Sequence, residues 1–431
     1  MSPATIRFDA LILGSTLGAV VAGAYLARAG LRVALFEESV HQQRPPLLRE
    51  PFLLTGLEPG GPLDRVLVEL GVGFHERHWI QKEPIALQLL LEEARLDFGE
   101  GKASLARDLE LHELCGFEEA LQWLHGLEQR GASQRSALAK GGPIRREAGW
   151  ARIRPGLSGT SHESPPPPPG ILDGINALRT ALCPVEPGSL AQAPAVFEPV
   201  LGSGGFRMDH AGHPFSDLLR QRFLAFHGEI RTVERFALFS EQGEVGIDTG
   251  RQLLFAPILV VGTPRTLLQR FLEEHDRAPR WLAGTPDPLD VPVELVRSAR
   301  GALSSGMSSR VVEADRPALR WISRSADPND PSIEWLVLYG PGAEKTPSHE
   351  PLGRLAPFAG DRTISIETGP EPRWDRDGVS LRFLAPHVPV LLEKRPLVVA
   401  AGPELAPDLG LEGEICGSRR SALRAIEAFG A

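Results

Sequence analysis

The sequence predicts an α/β protein built on a buried parallel sheet. Three observations lead there. Residues 8–38 read as strand, glycine-rich turn, alanine-rich helix and strand; an apolar run stands at Ile258-Leu259-Val260-Val261; and a third run, Pro396-Leu397-Val398-Val399-Ala400-Ala401, precedes a helix from about 413 to 429. Short apolar runs without alternation belong to strands covered on both faces, the habit of parallel sheets.

Phe8-Asp9-Ala10-Leu11-Ile12-Leu13 forms the first expected strand. Residues 19–29 are alanine-rich and helical until Gly30 stops them. Leu31 to Phe36 is the second strand, ending at Glu37, so the three elements make half of a dinucleotide-binding βαβ unit. Pro62 and Gly71 bracket a short helix. Residues 84–98 suit a β-hairpin, and 103–130 suit helix. From 131 to 199 the chain is rich in Pro, Gly and Ser, with five prolines in a row from Pro165 to Pro169, which predicts a long loop or polyproline spacer. Regular structure returns at Gly204-Gly205-Phe206-Arg207-Met208. A helix follows from Pro214 to about His227, with Leu218, Leu219, Phe223 and Phe226 on one face and Gly228 at its end. Glu229 to Val233 reads as a strand, Gln242-Gly243 as a hairpin turn, and 280–395 as strand-rich.

Composition narrows the function classes. The 431 residues are 42% hydrophobic and 23% charged, enough for two packed domains with large cores. The net charge of -9 and the lack of any basic run argue against nucleic acid as a partner. Twelve histidines are scattered without metal-ligand spacing; His75 and His78 stand three apart with no cysteine near them and read as surface residues, so no metal is expected. Three widely spaced cysteines, Cys115, Cys183 and Cys416, make no disulfide framework and suit a reducing compartment. Leu11 to Ala27 carries no charge, but Asp9 precedes it and Gly14, Gly18 and Gly23 interrupt it, so it reads as strand, turn and buried helix and not as a signal or span. The expected location is the cytoplasm, with a peripheral contact to a membrane surface left open.

A pyrophosphate is bound by backbone N–H groups at a helix N-terminus with nothing bulky in the way. The candidate here is Gly14-Ser15-Thr16-Leu17-Gly18-Ala19, with Glu37 placed for a ribose hydroxyl. Gly14 supplies the turn glycine, and Ala19 is small enough for helix–strand packing. Thr16 departs from the G-x-G-x-x-G pattern: it puts a β-branched side chain where the backbone would approach the phosphates, although its hydroxyl could meet a phosphate oxygen.

Two further segments extend this reading to the whole chain. One is Gly228-Glu229-Ile230-Arg231-Thr232-Val233-Glu234-Arg235-Phe236, then the hairpin, then Ala256-Pro257-Ile258-Leu259-Val260-Val261-Gly262-Thr263-Pro264. The other is Gly402-Pro403-Glu404 after a strand, with Gly410, Gly413, Glu414 and Ile415 leading into the last helix. In motif order, residues 8 to about 427 resemble the phytoene desaturase and amine oxidase superfamily. That resemblance implies a glutathione reductase-type, Rossmann-like FAD-binding domain of discontinuous segments, 1–80, 200–275 and 390–431. An interleaved α+β substrate domain would take 81–199 and 276–389. It further implies that the backbone of Val233 meets the adenine, Glu404 the ribityl hydroxyls, and Gly402, Gly413 and Ile415 the flavin end. The glycine pair that follows the first acidic residue in the family is replaced by Gln42-Gln43, leaving Arg44, with Arg49 as competitor, as the pyrophosphate contact.

The function so implied is an FAD-dependent oxidoreductase that takes hydride from a small apolar or amine substrate. No catalytic residue is assigned. The five lysines, 82, 102, 140, 345 and 394, lack an active-site context, and Asp209-His210 reads more simply as a loop than as an acid–base pair. The alternative is a flavin-free member of the fold that binds a lipid, a prenyl group or a partner protein, as the Rab GDP-dissociation inhibitors do within the superfamily. An NAD(P)-linked dehydrogenase is weaker, because no continuous run of βαβ units follows the first.

Overall fold

The computed structural model describes residues 4–38, 50–139, 167–182, 197, 200–201, 204–208, 214–233, 236–262, 289–291, 293–301, 306–314, 320–327, 330, 332–339, 364–367, 371–373, 390–392, 395–402 and 410–430. The first expected strand, 8–13, is realised as β2 (Ala10–Leu13), and a strand the sequence did not announce, β1 (Ala4–Arg7), precedes it. The two lie in different sheets. Asp9 makes the break. Its carboxylate accepts the Arg32 N–H at 2.7 Å, while Phe8 N donates to Phe255 O and Asp9 N to Arg32 O. The chain thereby changes partners between one residue and the next.

α1 (Leu17–Arg28) follows β2 and ends at Gly30, whose φ of 89° suits glycine. β3 (Val33–Glu38) then pairs parallel with β2. On the far side of β3 lies β8 (Glu229–Val233), also parallel. On the other side of β2 come β12 (Ile258–Val261) and β21 (Leu397–Ala400), both parallel, and then β20 (Val390–Leu392), antiparallel, at the edge. The sheet order is therefore β20-β21-β12-β2-β3-β8.

Both faces of this sheet are covered, which explains the apolar runs. On one face α1 packs with α6 (Phe215–Ala225) and α7 (Gly410–Gly430) in a core containing Ile12, Val260, Val399, Leu219, Phe223, Ile415 and Ala422. On the other, Leu11, Leu13, Phe36, Leu259 and Val261 meet Val245, Ile247 and Leu254. These last belong to a four-stranded sheet of β1, β9 (Ala237–Glu241), β10 (Glu244–Asp248) and β11 (Gln252–Ala256).

The remaining strands form mainly a seven-stranded sheet. It takes β5 (Leu87–Leu90) and β6 (Arg95–Phe98) from the expected hairpin, and β14 (Val293–Ala299), β15 (Arg310–Glu313), β16 (Arg320–Ala326), β17 (Ile333–Tyr339) and β18 (Ile364–Glu367) from the strand-rich stretch. A parallel pairing of β15 with β5 joins the two groups. Over it lie α3 (Lys102–Leu111), α4 (Phe117–Ala139) and α5 (Leu172–Leu182).

Two expectations about this region change. The helix foreseen at 103–130 is two helices, and α4 runs nine residues past 130, to Ala139. Within the stretch read as loop, Pro167 and Pro168 lead through a 3₁₀ turn, Pro169–Ile171, into α5. Ile171, Ile175 and Leu178 are buried there with Leu89 and Trp123. Tertiary burial prevails over a composition that suggests loop. Among the described residues, no helix is long and apolar enough to cross a membrane.

α1 and α6 approach closely because two glycines make room for one ring. A Cβ on Gly23 would stand 3.2 Å from Phe223 Cε2, and one on Gly228 would stand 2.1 Å from it. Phe223 is fully buried between them. Phe223→Ala is expected to lower stability by about 3–5 kcal/mol, read from urea unfolding followed by circular dichroism.

Candidate dinucleotide-binding site

β2, β12 and β21 end in step. Gly262 N donates to Leu13 O and Ala401 N to Val261 O, both at 2.7 Å, so Gly14, Gly262 and Gly402 gather at the carboxyl edge of the sheet. Gly14, with φ of 96°, turns the chain from β2 towards α1 and donates to Phe36 O at 2.9 Å. Thr16 caps α1: its Oγ1 accepts the Ala19 N–H at 3.2 Å. The hydroxyl considered as a phosphate donor is thus turned onto the helix's own backbone, a common use of threonine at this position. Two glycines frame it. A Cβ on Gly262 would lie 2.5 Å from the Ala19 Cβ and 3.1 Å from Thr16 Oγ1, and one on Gly402 would lie 3.4 Å from that oxygen. Ser15 and Leu17 are half-buried beside them, and Leu17 packs on the helical core.

α7 closes on α1 from the opposite end of the chain. Glu414, Ser418, Ser421 and Ala425, spaced by one helical turn each, are all buried on one face. Ser418 Oγ accepts the Gly402 N–H at 3.1 Å, and Ser421 Oγ donates to Ala400 O at 2.6 Å. Glu414 Oε1 accepts the Gly18 N–H at 2.7 Å. Gly18 has to be glycine for this approach: a Cβ would lie 2.3 Å from Ser418 Oγ and 2.8 Å from Gly402 N. Gly413 is buried in the first turn of α7, and the Ile415 side chain, 1% exposed, packs in the helical core. Burial pushes the Glu414 carboxyl up to about 7, against the opposing pull of the Gly18 N–H.

Glu37 and Glu412, near the same edge of the sheet, are also deeply buried, and both are held by arginine. Glu412, 2% exposed, takes Arg135 from α4 at 2.7 and 3.1 Å, and the same guanidinium reaches Glu58 at 2.5 Å. Burial raises the Glu412 carboxyl to about 7, with Arg135 pulling it down. Gly56 sits against this carboxylate, where a Cβ would come within 2.9 Å. Glu37, 1% exposed at the end of β3, is forked by Arg220 of α6 at 2.7 and 3.0 Å. The residue expected at a ribose thus already faces a guanidinium. Val233, at the end of β8 and in register with Glu38, packs in the apolar cluster of Leu13 and Phe36.

The structure therefore brings Gly14 through Ala19, Glu37, Val233, Gly402 and the first turn of α7 to one edge of the sheet. Arg44, Arg49, Glu404, Asp209, His210 and Cys183 lie outside the described residues. The sequence reading passed over Arg135, Arg220 and Glu412, and it gave Glu414 no role of its own within the segment that leads into the last helix. Glu414 carried a signal, as a charged residue in register with Ser418, Ser421 and Ala425. Arg135 was hidden in the stretch read as loop. His75 and His78 are exposed around a single helical turn, Phe74–Arg77. Among the described residues, no group of three or more His, Cys, Asp or Glu is placed to hold a metal ion.

No family model and no curated protein matches the chain. Solved structures do match in fold along its whole length. A putrescine oxidase double mutant with redesigned cofactor binding aligns over 99% of this chain and 100% of its own, with TM-score 0.55 and 13% identity. Cyclohexylamine oxidase from Brevibacterium oxydans aligns over 98% and 100%, with TM-score 0.55 and 14% identity. An oxidoreductase from Methanosarcina mazei aligns over 96% and 99%, with TM-score 0.53 and 14% identity. The chain thus has the fold of these oxidases, the fold its motif order implied.

Two expectations follow from the buried charges. Glu414, which faces no cation among the described residues, keeps its proton to about 7 in the native state, whereas an ordinary carboxyl titrates near 4.5. The native state then binds more protons than the unfolded chain between those values, so the contribution of Glu414 to stability falls as pH rises through that window and is level above it. The melting temperature should decline from pH 5 to pH 8, and Glu414→Gln should flatten the decline. Arg220→Ala, which removes the two-pronged bond from the buried Glu37 carboxylate, should cost about 3–5 kcal/mol in chemical denaturation.

Proposed function

We propose that the chain is an FAD-dependent oxidoreductase acting on a small apolar or amine substrate. The observation that carries this reading is the full-length fold likeness to putrescine and cyclohexylamine oxidases, joined to a glycine turn and helix N-terminus at the carboxyl edge of the parallel sheet. The scaffold fits a dinucleotide: Gly14 allows the turn, and α1 has no acidic residue in its own first turn. The turn Gly14–Ala19 would hold the pyrophosphate with Arg44. Glu37 would receive the ribose, Val233 the adenine, and Gly402, Glu404 and Gly413 the flavin end. Bound FAD would supply a two-electron acceptor for hydride, with oxygen or a quinone-like compound as the final oxidant.

The chain's own part in that chemistry is positional. Arg220 orients Glu37 by a two-pronged bond, so its carboxylate keeps a fixed direction at the edge of the sheet. Arg135 holds the start of α7 through Glu412, fixing the turn that carries Gly413. The body formed by 81–199 and 276–389 would enclose the substrate and exclude water. A cytoplasmic location accords with the cysteine spacing, and no nucleic-acid partner is proposed.

One observation favours a second reading, a flavin-free binding protein for a lipid, a prenyl group or a partner protein. The Glu414 carboxylate stands on a backbone N–H of α1 that a phosphate would use. An absorbance spectrum of the purified protein separates the two. Flavin bands near ~450 nm, released to the supernatant on heat denaturation, are expected for the oxidoreductase. A colourless protein that takes up no added FAD would overturn that reading and favour the second.

A further inference from the structure

The three buried glutamates at the sheet edge differ in one respect. Glu37 and Glu412 each face an arginine fork. Glu414 is 8% exposed, and among the described residues it has no cationic partner: its hydrogen bond is to the Gly18 N–H at the start of α1. A carboxylate buried without a cation is costly unless something compensates it, and here the compensation comes from a helix N-terminus. The neighbours on the same face of α7, Ser418, Ser421 and Ala425, are small and hold α7 in place by packing and by bonds to Gly402 and Ala400. Nothing in that packing requires a carboxylate at 414.

We infer that the Glu414 carboxyl is an internal occupant of the dinucleotide site, and that a pyrophosphate enters only by displacing it from the Gly18 N–H. This deepens the FAD reading and rests on it. One N–H donates one strong bond, and two anions at the same helix N-terminus repel each other, so carboxylate and phosphate are alternatives there. The retreat is a matter of side-chain rotation. α7 keeps its Ser418 and Ser421 bonds and Arg135 keeps Glu412, so the helix need not move. Glu414 is then an affinity-setting residue: the chain binds FAD more weakly than its scaffold alone would allow, and exchanges it.

The test titrates FAD into the wild-type protein, Glu414→Gln and Glu414→Ala, following the quenching of flavin fluorescence. Far-UV circular dichroism checks that each protein is folded. Glu414→Gln keeps the volume and an acceptor for Gly18 but removes the charge; Glu414→Ala removes both charge and bulk. The expected result is an FAD Kd about tenfold lower, or lower still, in at least one folded variant, the equivalent of ~1.4 kcal/mol or more. A gain in both assigns the effect to charge, and a gain in Glu414→Ala alone assigns it to volume; either supports displacement. Wild type and both variants binding FAD with equal affinity, or the variants binding more weakly, would overturn the inference while leaving the oxidoreductase reading intact. Failure of all three to bind FAD would overturn both.

Discussion

Three parallel strands that end in step, β2, β12 and β21, dictate most of what the molecule can do. Because β21, β12, β2, β3 and β8 run the same way, every chain segment leaving β2 or entering a crossover meets the same edge. The N-terminus of α1, whose first N–H groups have no carbonyl partner within the helix, is delivered to that edge by a single turn at Gly14. The same constraint collects Gly262 and Gly402 around Thr16 and sets the C-terminal helix across the front of α1. Covering both sheet faces then follows from the length of the apolar runs, since no side of Ile258–Val261 or Leu397–Ala400 tolerates water.

Charge is concentrated where this geometry is tightest. Glu37, Glu412 and Glu414 are nearly inaccessible, yet they are compensated in different ways, two by guanidinium forks and one by a helix terminus. An arginine fork fixes a carboxylate for good, because breaking it leaves a bare buried charge. A helix terminus offers only a few partial charges and accepts any anion of suitable shape. The contrast separates residues that build the edge from one that can yield its place. Glu37 and Glu412 anchor β3 and α7, whereas Glu414 stands where a ligand would stand.

The sequence was most legible where burial leaves little choice. The strands β2, β3, β12 and β21 had to be apolar, and Gly14, Gly30 and Gly228 marked the ends of β2, α1 and α6. It was less legible where structure depends on distant partners. Asp9 separates β1 from β2 through a bond to Arg32, and β1 joins a strand near residue 254, which no local pattern announces. The position of Glu37 was readable, but its fork to Arg220 spans 183 residues. α5 and the last turns of α4 lay in a stretch whose prolines and glycines suggested loop, and only packing against Leu89 and Trp123 makes them helical. Glu414 itself stood among the residues read as a flavin-binding segment. Its buried register was visible, but its contact with an N–H 396 residues away was not.

The account's central claim is that the Gly18 N–H is held by Glu414 until a pyrophosphate replaces it. The most direct measurement is the amide resonance of Gly18, followed by NMR in wild type and Glu414→Gln while FAD is added. The account predicts a downfield Gly18 amide that titrates with the Glu414 carboxyl near 7 in the wild type, stops titrating in the variant, and moves in both when FAD binds. A Gly18 amide indifferent to pH and to the substitution would contradict it.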